Sequence, residues 1–304
     1  MRVLITGVTG YLGTRLSKAL VDREHAVVGL SRDSRRAQSQ VPWLEQAFEW
    51  QPAISPPSQD VFKDVDAVVH LAAEPLGGRG TAAKLRSNME DRVRITRHLV
   101  EGIGRLASRP RVLIAASGTG YYADHGDDLI TEETPAGDRV ISRGALASET
   151  EAFRARDHGL AVATVRIGYL VGPGATFLAA NLPFYKLGMG GPMGSGRQWW
   201  SWVHADDVIG IMARLLDGEM DGGVNATSPE PVRQRGFART LGRVLHRPAF
   251  LPTPGFAVKL VAGEFTEDLL GSKRVVPRRA LNSGYEFRFP ELEPALRDAV
   301  SRKQ

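Results

Sequence analysis

The chain has 304 residues, with 39 Lys and Arg against 34 Asp and Glu, and therefore carries a formal net charge of +5 at pH 7. It contains no cysteine, which excludes disulfide bonds and thiolate metal sites and fits a cytoplasmic protein, and its length allows one large core or two lobes. Because it has no apolar stretch long enough to span a bilayer, no signal-peptide pattern and no basic block with interleaved aromatic residues, we expect neither a membrane nor a nucleic acid as its partner.

The first predicted elements are a short apolar strand over residues 2–6, a turn rich in glycine, and a helix with an apolar stripe. The turn has the spacing G-x-x-G-x-x-G, with Gly7, Gly10 and Gly13. Gly7 permits a tight turn, Gly10 lets the backbone approach a pyrophosphate, and Gly13 lets the helix pack closely on the sheet. The amides at the start of the helix favour an anion. We therefore predict a dinucleotide site, with cofactor contacts from Gly7, Thr9, Gly10, Tyr11 and Leu12.

The second predicted strand ends at Ser31 and Arg32. An NAD site usually ends this strand with Asp or Glu, which binds the ribose 2′-hydroxyl and repels a 2′-phosphate. A hydroxyl and a guanidinium instead suit a phosphate. Asp33 keeps the NAD alternative open, because a register shift of one residue would place a carboxylate there, and Arg35 and Arg36 either add phosphate contacts or form a solvated loop. We predict NADP(H), bound by Ser31, Arg32 and Arg35.

Apolar runs and helical periods then alternate along the chain. Buried strands are predicted at residues 66–73, 112–116 and 160–165, and helices at 82–107 and 143–158. This alternation predicts an α/β fold, a Rossmann-type doubly wound parallel sheet, whose ligands bind at the carboxyl ends of the strands. The cofactor contacts predicted at those ends are Leu71, Ala72, Ala73, Arg166, Gly168, Tyr169 and Leu170.

The character of the sequence changes near Pro173. A glycine-rich stretch and three tryptophans follow, and after residue 230 the predicted helices are short and interrupted by prolines. We predict a smaller mixed C-terminal lobe that closes over the cofactor and binds the substrate. The predicted boundaries are residues 1–172, completed by about 203–228, for the NADP-binding lobe, and residues 173–202 and 229–304 for the substrate lobe.

Motifs spread along the whole chain carry a family resemblance. They are Thr6–Gly13, His70–Ala73, Ser117 with Gly120–Tyr122, Arg166–Pro173, Leu187–Trp199, Ser201–Asp207, Val224–Thr227 and Lys273–Arg278. With these motifs the chain resembles an atypical member of the extended short-chain dehydrogenase/reductase superfamily. End to end, it is similar to the nucleoside-sugar-epimerase-like proteins that have their own C-terminal domain. The resemblance implies a Rossmann-type domain with a substrate lobe, and NADP(H) as cofactor.

The proton-transfer residues of that superfamily are missing from this chain. Its enzymes use a Tyr-x-x-x-Lys pair, whereas none of the six tyrosines here has a lysine four residues further on. The expected positions of the pair fall near Ile141 and Ala145, which do not titrate. Arg92 stands where the superfamily usually has an asparagine, and Ser117 alone appears at its usual place.

The missing pair favours a reduction over an epimerisation. An epimerase removes a proton from an alcohol, and without a positioned base this step loses roughly 10²- to 10⁴-fold in rate. We predict an NADPH-dependent ketoreductase for a bulky aromatic or polyketide-like ketone, similar to the enzymes that tailor angucyclinones in antibiotic biosynthesis. Ser117 would donate to the carbonyl, Arg92 would stabilise the developing charge and Tyr122 would donate a proton.

Each predicted catalytic residue has a structural alternative. Ser117 can bind backbone groups at a strand end, Arg92 can lie on a solvated helix face, and the adjacent tyrosines can pack against the sheet. The predicted substrate contacts are Tyr121, Gln198, Trp200 and His204. For Trp200 the alternative is core packing, and for His204 it is capping of a helix together with Asp206 and Asp207. No metal site is predicted there, since further ligands are lacking.

Two other functions stay open at this point. The chain can be a non-catalytic NADP(H) sensor that has lost the pair, or an epimerase acting on sugar nucleotides. In the second case, the diphosphate would be held by basic residues of the C-terminal lobe: Arg197, Lys273, Arg274, Arg278 and Arg279. All readings expect a small molecule as partner, and no surface pattern determines the oligomeric state.

Overall fold

A parallel sheet of seven strands forms the centre of the computed structural model, which describes residues 1–73, 81–218 and 220–301. The strands in this described part are β1 (Arg2–Thr6), β2 (Ala26–Ser31), β3 (Gln46–Glu49), β4 (Ala67–His70), β5 (Val112–Gly118), β6 (Leu129–Ile130), β7 (Ala161–Ile167), β8 (Tyr169–Val171), β9 (Trp199–Trp200), β10 (Trp202–His204), β11 (Gly222–Ala226), β12 (Val232–Arg233) and β13 (Arg274–Val275). The order within the sheet is β11-β7-β5-β4-β1-β2-β3, and all neighbours are parallel.

Helices connect these strands and form the C-terminal part of the chain. They are α1 (Tyr11–Val21), α2 (Ser34–Gln40), α3 (Ala82–Gly104), α4 (Val140–Phe153), α5 (Thr176–Lys186), α6 (Ala205–Leu216), α7 (Gln234–Val244), α8 (Gly255–Ala262), α9 (Thr266–Leu270), α10 (Arg278–Asn282) and α11 (Leu292–Ser301). None of the described helices is long and apolar enough to cross a bilayer.

The sheet reverses its strand order between β1 and β4. The chain first adds β2 and β3 on one side of β1, and later adds β4, β5, β7 and β11 on the other side. In the register of the three central strands, Thr6 lies opposite both Leu30 and His70. A ligand crevice forms at the carboxyl ends of the strands where such a reversal occurs. The glycine turn after β1 opens onto this crevice.

Alternating residues of the strands build a separate core on each face of the sheet. Ile5 and Val69 contribute to the core that contains residues of α1 and α6. Leu4 and Val68, their chain neighbours, belong to the core that contains residues of α3 and α4. Because successive side chains of a strand point to opposite faces, both faces can be covered by helices only when the strands are apolar throughout. This explains the continuous apolar runs in the sequence.

The predicted Rossmann-type sheet is confirmed, and so are its principal elements. The three runs predicted as buried strands form β4, β5 and β7, and the two longest predicted helices form α3 and α4. The loop alternative for Arg35 and Arg36 is wrong, because both residues lie on α2. The partly buried edge strand β3 was not predicted, since its sequence QAFE has no apolar run.

The C-terminal part has a core of its own, built from aromatic and aliphatic residues. It includes Trp200, Trp202 and Phe237, together with Leu296 of α11. Two short strand pairs connect this part to the rest, β10 with β8 and β13 with β6, while β9 pairs with β12 within it. Asp207 on α6 accepts hydrogen bonds from the backbone amides of Arg288 and Phe289, at 2.7 and 3.0 Å, and so holds the segment before α11 in place.

Candidate functional site

The glycine turn has the tight geometry that its sequence predicts. Gly7 has a φ of +69°, and a Cβ atom there would lie 2.9 Å from the backbone nitrogen of Ala72. A Cβ on Gly13 would lie 2.3 Å from the carbonyl oxygen of Gly7. No side chain caps the start of α1, so the first amides of this helix remain available to an anion. Among the predicted contacts here, Tyr11 has its hydroxyl next to Gly172.

The end of β2 carries a hydroxyl and a guanidinium, while the nearby carboxylate has a structural role. Ser31 is the last residue of the strand, and Arg32 follows it exposed. Asp33 is the N-cap of α2, where its carboxylate accepts a hydrogen bond from the Arg36 amide at 2.9 Å. The Asp33 carboxylate is thus engaged in capping. Arg35 is exposed in the first turn of α2.

A buried chain of polar groups fixes the end of β4 next to the glycine turn. Thr6 Oγ1 lies 2.8 Å from Nδ1 of His70, and Nε2 of His70 lies 3.3 Å from Thr96 Oγ1. Thr6 Oγ1 also accepts hydrogen bonds from the amides of Leu71 and Ala72, so these two predicted cofactor contacts do not have free amides. Burial, together with the positive charge of Arg92, lowers the pKa of His70 to about 3. Its imidazole is therefore neutral at ordinary pH. The sequence analysis did not assign His70 this role.

A cavity of about 190 Å³ lies at the carboxyl ends of β5 and β7. The structure brings four predicted site residues together here, Arg92, Ser117, Gly168 and Tyr169. The full lining is Met89, Arg92, Ser117, Gly118, Thr119, Gly120, Ile141, Ala145, Ile167, Gly168, Tyr169, Phe265 and Asp268. Ile141 and Ala145, the expected positions of the missing pair, are part of this wall.

Arg92 presents an uncompensated guanidinium to this cavity. Within the described part of the chain, the guanidinium has no ion-pair partner and no hydrogen-bond acceptor. Burial lowers its pKa from the ordinary value of an arginine. A partly buried cation without a counter-charge is costly, and it gains most when an anion or a developing negative charge lies beside it. Arg92 therefore lies half-buried in the lining of the cavity, and its side chain is not on a fully solvated helix face.

Ser117 uses its only proton within the protein. Its Oγ donates to Oε1 of Glu149 at 2.6 Å, and the Glu149 carboxylate is also paired with Arg166, whose Nη2 lies 2.8 Å from Oε2. In this geometry Ser117 offers the cavity a hydrogen-bond acceptor. Its predicted role as donor to a carbonyl is therefore wrong for the arrangement observed.

Arg166 holds together a buried network, contrary to the prediction that it contacts the cofactor. It donates to Glu149 and, at 2.9 Å, to the hydroxyl of Tyr122, and its guanidinium stacks 3.5 Å from the centre of the Tyr121 ring. Burial opposes its charge, but the hydrogen bonds and charge of Glu149 raise the pKa of Arg166 above its ordinary value. All of these groups are buried, so the guanidinium is satisfied inside the protein.

The predicted roles of Tyr121 and Tyr122 are corrected by the same network. The Tyr122 hydroxyl donates to Oδ1 of Asn225 at 2.7 Å, and only 1% of the side chain is exposed. Burial raises the pKa of Tyr122 to about 12. Tyr122 is thus a structural residue and cannot deliver a proton to the first cavity. Tyr121 packs its ring under Arg166 and edge-on to Tyr122, and it is only 8% exposed, so it belongs to this buried network.

Three more predicted substrate contacts are parts of the core. Gln198 donates through Nε2 to the carbonyl oxygen of Met193 at 3.0 Å. Trp200 is 1% exposed and packs among aromatic rings. His204 is fully buried and caps α6, with Nδ1 accepting from the Asp206 amide at 3.2 Å. For Trp200 and His204 the structural alternatives were right, because a buried ring needs packing and a satisfied polar tip.

Two residues missed by the sequence analysis complete the wall of the cavity. Asp268 of α9 lies between Tyr169, whose hydroxyl donates to the Asp268 carbonyl at 2.8 Å, and Lys273, which forms an ion pair with its carboxylate. Burial, with the nearby Asp268 charge, raises the pKa of Tyr169 well above its usual value. Phe265 lies beside Asp268 in the lining. No sequence signal marked these positions, because they approach the sheet only through the fold of the C-terminal part.

A second cavity of about 330 Å³ adjoins the first and shares Gly120, Ile141 and Asp268 with it. Its lining contains both signs of charge. The acidic members are Asp124, Glu264, Glu267 and Asp268, and the basic members are Arg139, Lys259 and Lys273. No group of three or more His, Asp or Glu side chains in the described ranges is placed to hold a metal ion.

Comparison with known proteins gives consistent results over the whole chain. Residues 3–226 match the NAD dependent epimerase/dehydratase family, and residues 253–299 match a domain of unknown function, DUF1731. The chain is 33% identical over 307 residues to the epimerase family protein SDR39U1 homolog, chloroplastic, of Arabidopsis thaliana, covering 98% of this chain and 86% of that protein.

Solved structures show the same similarity. The crystal structure of human epimerase family protein SDR39U1 with NADPH has a TM-score of 0.88 and 30% identity, and the match covers 100% of both chains. The nucleoside-diphosphate sugar epimerase of Corynebacterium glutamicum has a TM-score of 0.78 and 26% identity, covering 99% of this chain and 58% of that one.

These relatives do not support the prediction of a ketoreductase that acts on angucyclinone-type polyketides. They bear the names of epimerase-family proteins or of a sugar epimerase, and none of these names refers to angucyclinones, polyketides or antibiotic biosynthesis. Since the Arabidopsis relative is named as chloroplastic, a cytoplasmic location also stays a prediction.

Proposed function

The chain belongs to the NAD dependent epimerase/dehydratase family, and from this premise we propose that it is an NADP(H)-dependent ketoreductase that works without the Tyr/Lys pair. Family membership confirms the predicted nicotinamide cofactor, and the human relative was crystallised with NADPH. The observation that carries the proposal is the set of charged groups in the first cavity. Its wall contains the guanidinium of Arg92 and the paired carboxylate of Asp268, while the expected positions of the phenol and the ammonium hold Ile141 and Ala145.

The residues at the reversal of the sheet fit a dinucleotide phosphate. The backbone around Gly7 and Gly13 has no room for side chains, and this is the form of a turn that receives a pyrophosphate. Ser31 and Arg32 would hold the 2′-phosphate, because the nearby carboxylate of Asp33 is engaged in capping α2. Gly168 and Tyr169 lie at the end of β7, where they would contact the nicotinamide.

The chemistry of the first cavity suits reduction of a carbonyl group. NADPH, when bound, supplies a hydride to the carbonyl carbon. Arg92 stabilises the negative charge that then forms on the carbonyl oxygen, and a preorganised cation in a desolvated site is effective at this task. Ser117 accepts a hydrogen bond from the cofactor or substrate, since its own proton is held by Glu149.

Asp268 and Lys273 provide the proton that completes the alcohol. Lys273 is only 9% exposed, and its ammonium contacts Oδ1 of Asp268, which lines both cavities. A proton from Lys273 passes through the Asp268 carboxylate to the alkoxide oxygen, and Lys273 is reprotonated from the second cavity. This pair would replace the Tyr/Lys couple with a carboxylate/Lys couple that comes from a different part of the fold.

A sugar-nucleotide epimerase is the second candidate, favoured by the similarity to the Corynebacterium glutamicum structure. The basic residues expected to bind its diphosphate are dispersed and engaged. Lys273 pairs with Asp268, Arg279 donates to the carbonyl of Asp221 at 2.7 Å, and Arg274 lies over the Trp199 ring. The acidic groups in the second cavity also disfavour a diphosphate. Both observations favour the reductase.

The decisive experiment incubates the purified protein with NADPH and a panel of small and polycyclic ketones, with sugar nucleotides in parallel. We expect consumption of NADPH with at least one ketone, and stereospecific transfer of label from deuterated NADPH. Turnover of a sugar nucleotide with no net consumption of cofactor would establish the epimerase instead. Tight binding of NADPH with no turnover of any compound would favour the sensor.

A further inference from the structure

Exposed hydrophobic side chains are concentrated on one surface of the C-terminal part. Among the described residues, eleven large hydrophobic side chains are exposed, and seven of them lie within residues 184–189 and 250–260. These seven, called the apolar surface below, are Phe184, Leu187, Met189, Phe250, Leu251, Phe256 and Leu260. Large exposed apolar patches on a protein mark sites of interaction.

The two segments that carry the apolar surface lie side by side. Met193 and Thr253 form an isolated parallel bridge, and the Gly194 amide donates to the carbonyl of Thr253 at 2.9 Å. At the other end, Nε of Arg247 donates to the carbonyl of Lys186 at 3.0 Å. The seven side chains therefore belong to one continuous region of the molecule, which runs on into α8.

The charges in this region all have the same sign. Residues 184–194 and 246–260 contain Lys186, Arg247 and Lys259, but neither Asp nor Glu. Helix α8 is apolar on its exposed face as well as on its packed face, since Val258 is buried, whereas Phe256 and Leu260 are 78% and 68% exposed. Apolar side chains flanked by cations are the combination that inserts into the headgroup region of an anionic bilayer.

We propose that the apolar surface docks the protein peripherally on a membrane that contains anionic phospholipids. A symmetric contact with a second copy is disfavoured, because it would bring Lys186 and Arg247 of both copies together, and neither segment contains an Asp or Glu to compensate them. Docking of this kind needs no spanning segment, and it departs from the expectation that the chain has no membrane partner.

The test is co-sedimentation of the full chain with vesicles of phosphatidylcholine alone and of phosphatidylcholine with phosphatidylglycerol. We expect binding to the anionic vesicles only. The variant Phe256→Glu/Leu260→Glu should lose it, since two charges then enter the apolar contact. Lys186→Gln should weaken binding by about fivefold, as expected for one cation near an anionic surface.

Ile54→Glu is the matched control, because Ile54 is 76% exposed but lies outside the apolar surface. It should bind like the unchanged protein, and equal melting temperatures would show that all variants are folded. Failure of the unchanged protein to bind anionic vesicles would overturn the proposal, as would equal binding to both kinds of vesicle. A dimer in solution that Phe256→Glu/Leu260→Glu converts to a monomer would also overturn it and assign the surface to a second copy.

Discussion

At the scale of single residues, the candidate site depends on which polar side chains have no hydrogen-bond or ion-pair partner within the protein. Glu149 and Arg166 hold the hydroxyls of Ser117 and Tyr122, so both residues that resemble catalytic groups in the sequence are engaged. Arg92 has no such partner in the described chain. The reactive groups of this cavity are therefore identified by the absence of internal contacts as much as by residue type.

Replacing Arg92 by Met should lower kcat for ketone reduction by on the order of 10²- to 10³-fold, because the charge that forms on the carbonyl oxygen loses its counter-ion. The melting temperature should not fall, since removal of a desolvated charge relieves a cost. Steady-state kinetics and thermal unfolding measure both effects. Arg94→Met is the control, because Arg94 lies on the same helix, exposed and paired with Asp91. An unchanged kcat in Arg92→Met would contradict the assigned role.

Asp268→Asn should reduce turnover by roughly 10²- to 10⁴-fold, the usual contribution of a positioned proton-transfer group. Lys273→Met should have a similar effect, and the double variant should be no slower than either single one, because the two residues act as one unit. The pH profile of kcat is the second readout, since a structural role would not change its shape. Additive losses in the double variant would argue against a shared proton path.

Ser31→Asp should weaken binding of NADPH at least tenfold, about 1.4 kcal/mol, because a carboxylate at the end of β2 repels the 2′-phosphate. Binding of NADH should be unchanged or stronger. Fluorescence titration with both nucleotides measures the difference. Ser39→Asp adds the same charge at an exposed position near the end of α2, and we expect it to affect neither nucleotide. Equal losses for NADPH and NADH would place the 2′-phosphate elsewhere.

Sequence reasoning selected Arg92 and Ser117, which both line the first cavity, but it assigned Arg166, Tyr122 and His204 to ligands. The reason is physical. Arg, Tyr and His side chains have the same chemistry whether they meet a substrate or a buried partner, and the partners here are distant in sequence, as Asn225 is from Tyr122. Asp268 was missed for the converse reason, since only the tertiary fold brings α9 to the sheet.

At the scale of elements, the glycine turn and α1 were predictable because local sterics alone determine them. Strand, glycine spacing and apolar stripe lie within twenty residues, so no distant contact is needed to interpret them. The paired strands of two or three residues in the C-terminal part, such as β9 and β12, were not predictable. Segments of that length have no periodicity, and tertiary pairing alone makes them strands.

Gly13→Ala should destabilise the protein and abolish NADPH binding, since the new Cβ would lie 2.3 Å from the Gly7 carbonyl oxygen and push α1 off the turn. Gly236→Ala makes the same change within α7, where nothing lies within 4 Å of the new atom. There we expect a stabilisation of about 0.5–1 kcal/mol from helix propensity. Chemical denaturation and nucleotide titration distinguish the two, and normal NADPH binding by Gly13→Ala would refute the steric argument.

At the scale of the whole molecule, the strand order follows from two simple constraints. Parallel strands need crossover connections, and these connections are right-handed, so alternating strands and helices lead to a doubly wound sheet. The sequence therefore predicts the sheet well. It predicts the C-terminal part poorly, because contacts between distant segments shape that part, such as those of Asp207 with the amides of Arg288 and Phe289.

The pH dependence of global stability should contain a contribution from His70. Its pKa is about 3 in the folded protein against 6.5 ordinarily, so the unfolded chain binds one more proton between these values. The free energy of unfolding should therefore fall by about 1.4 kcal/mol per pH unit as the pH drops below about 6.5. Urea denaturation at several pH values measures the slope. His70→Gln should be less stable at neutral pH. Its free energy of unfolding should depend less steeply on pH between these values, because the variant lacks the one proton that His70 binds on unfolding. An identical slope would contradict the buried neutral imidazole.

The close packing of Ile141 has a consequence for engineering. A Cβ on Gly120 would lie 2.6 Å from the Cγ2 of Ile141, so the segment after β5 lies directly against α4. A tyrosine at 141 would have to share this space with Gly120. Restoring the Tyr/Lys couple at 141 and 145 therefore calls for changes in the facing segment as well as the two substitutions.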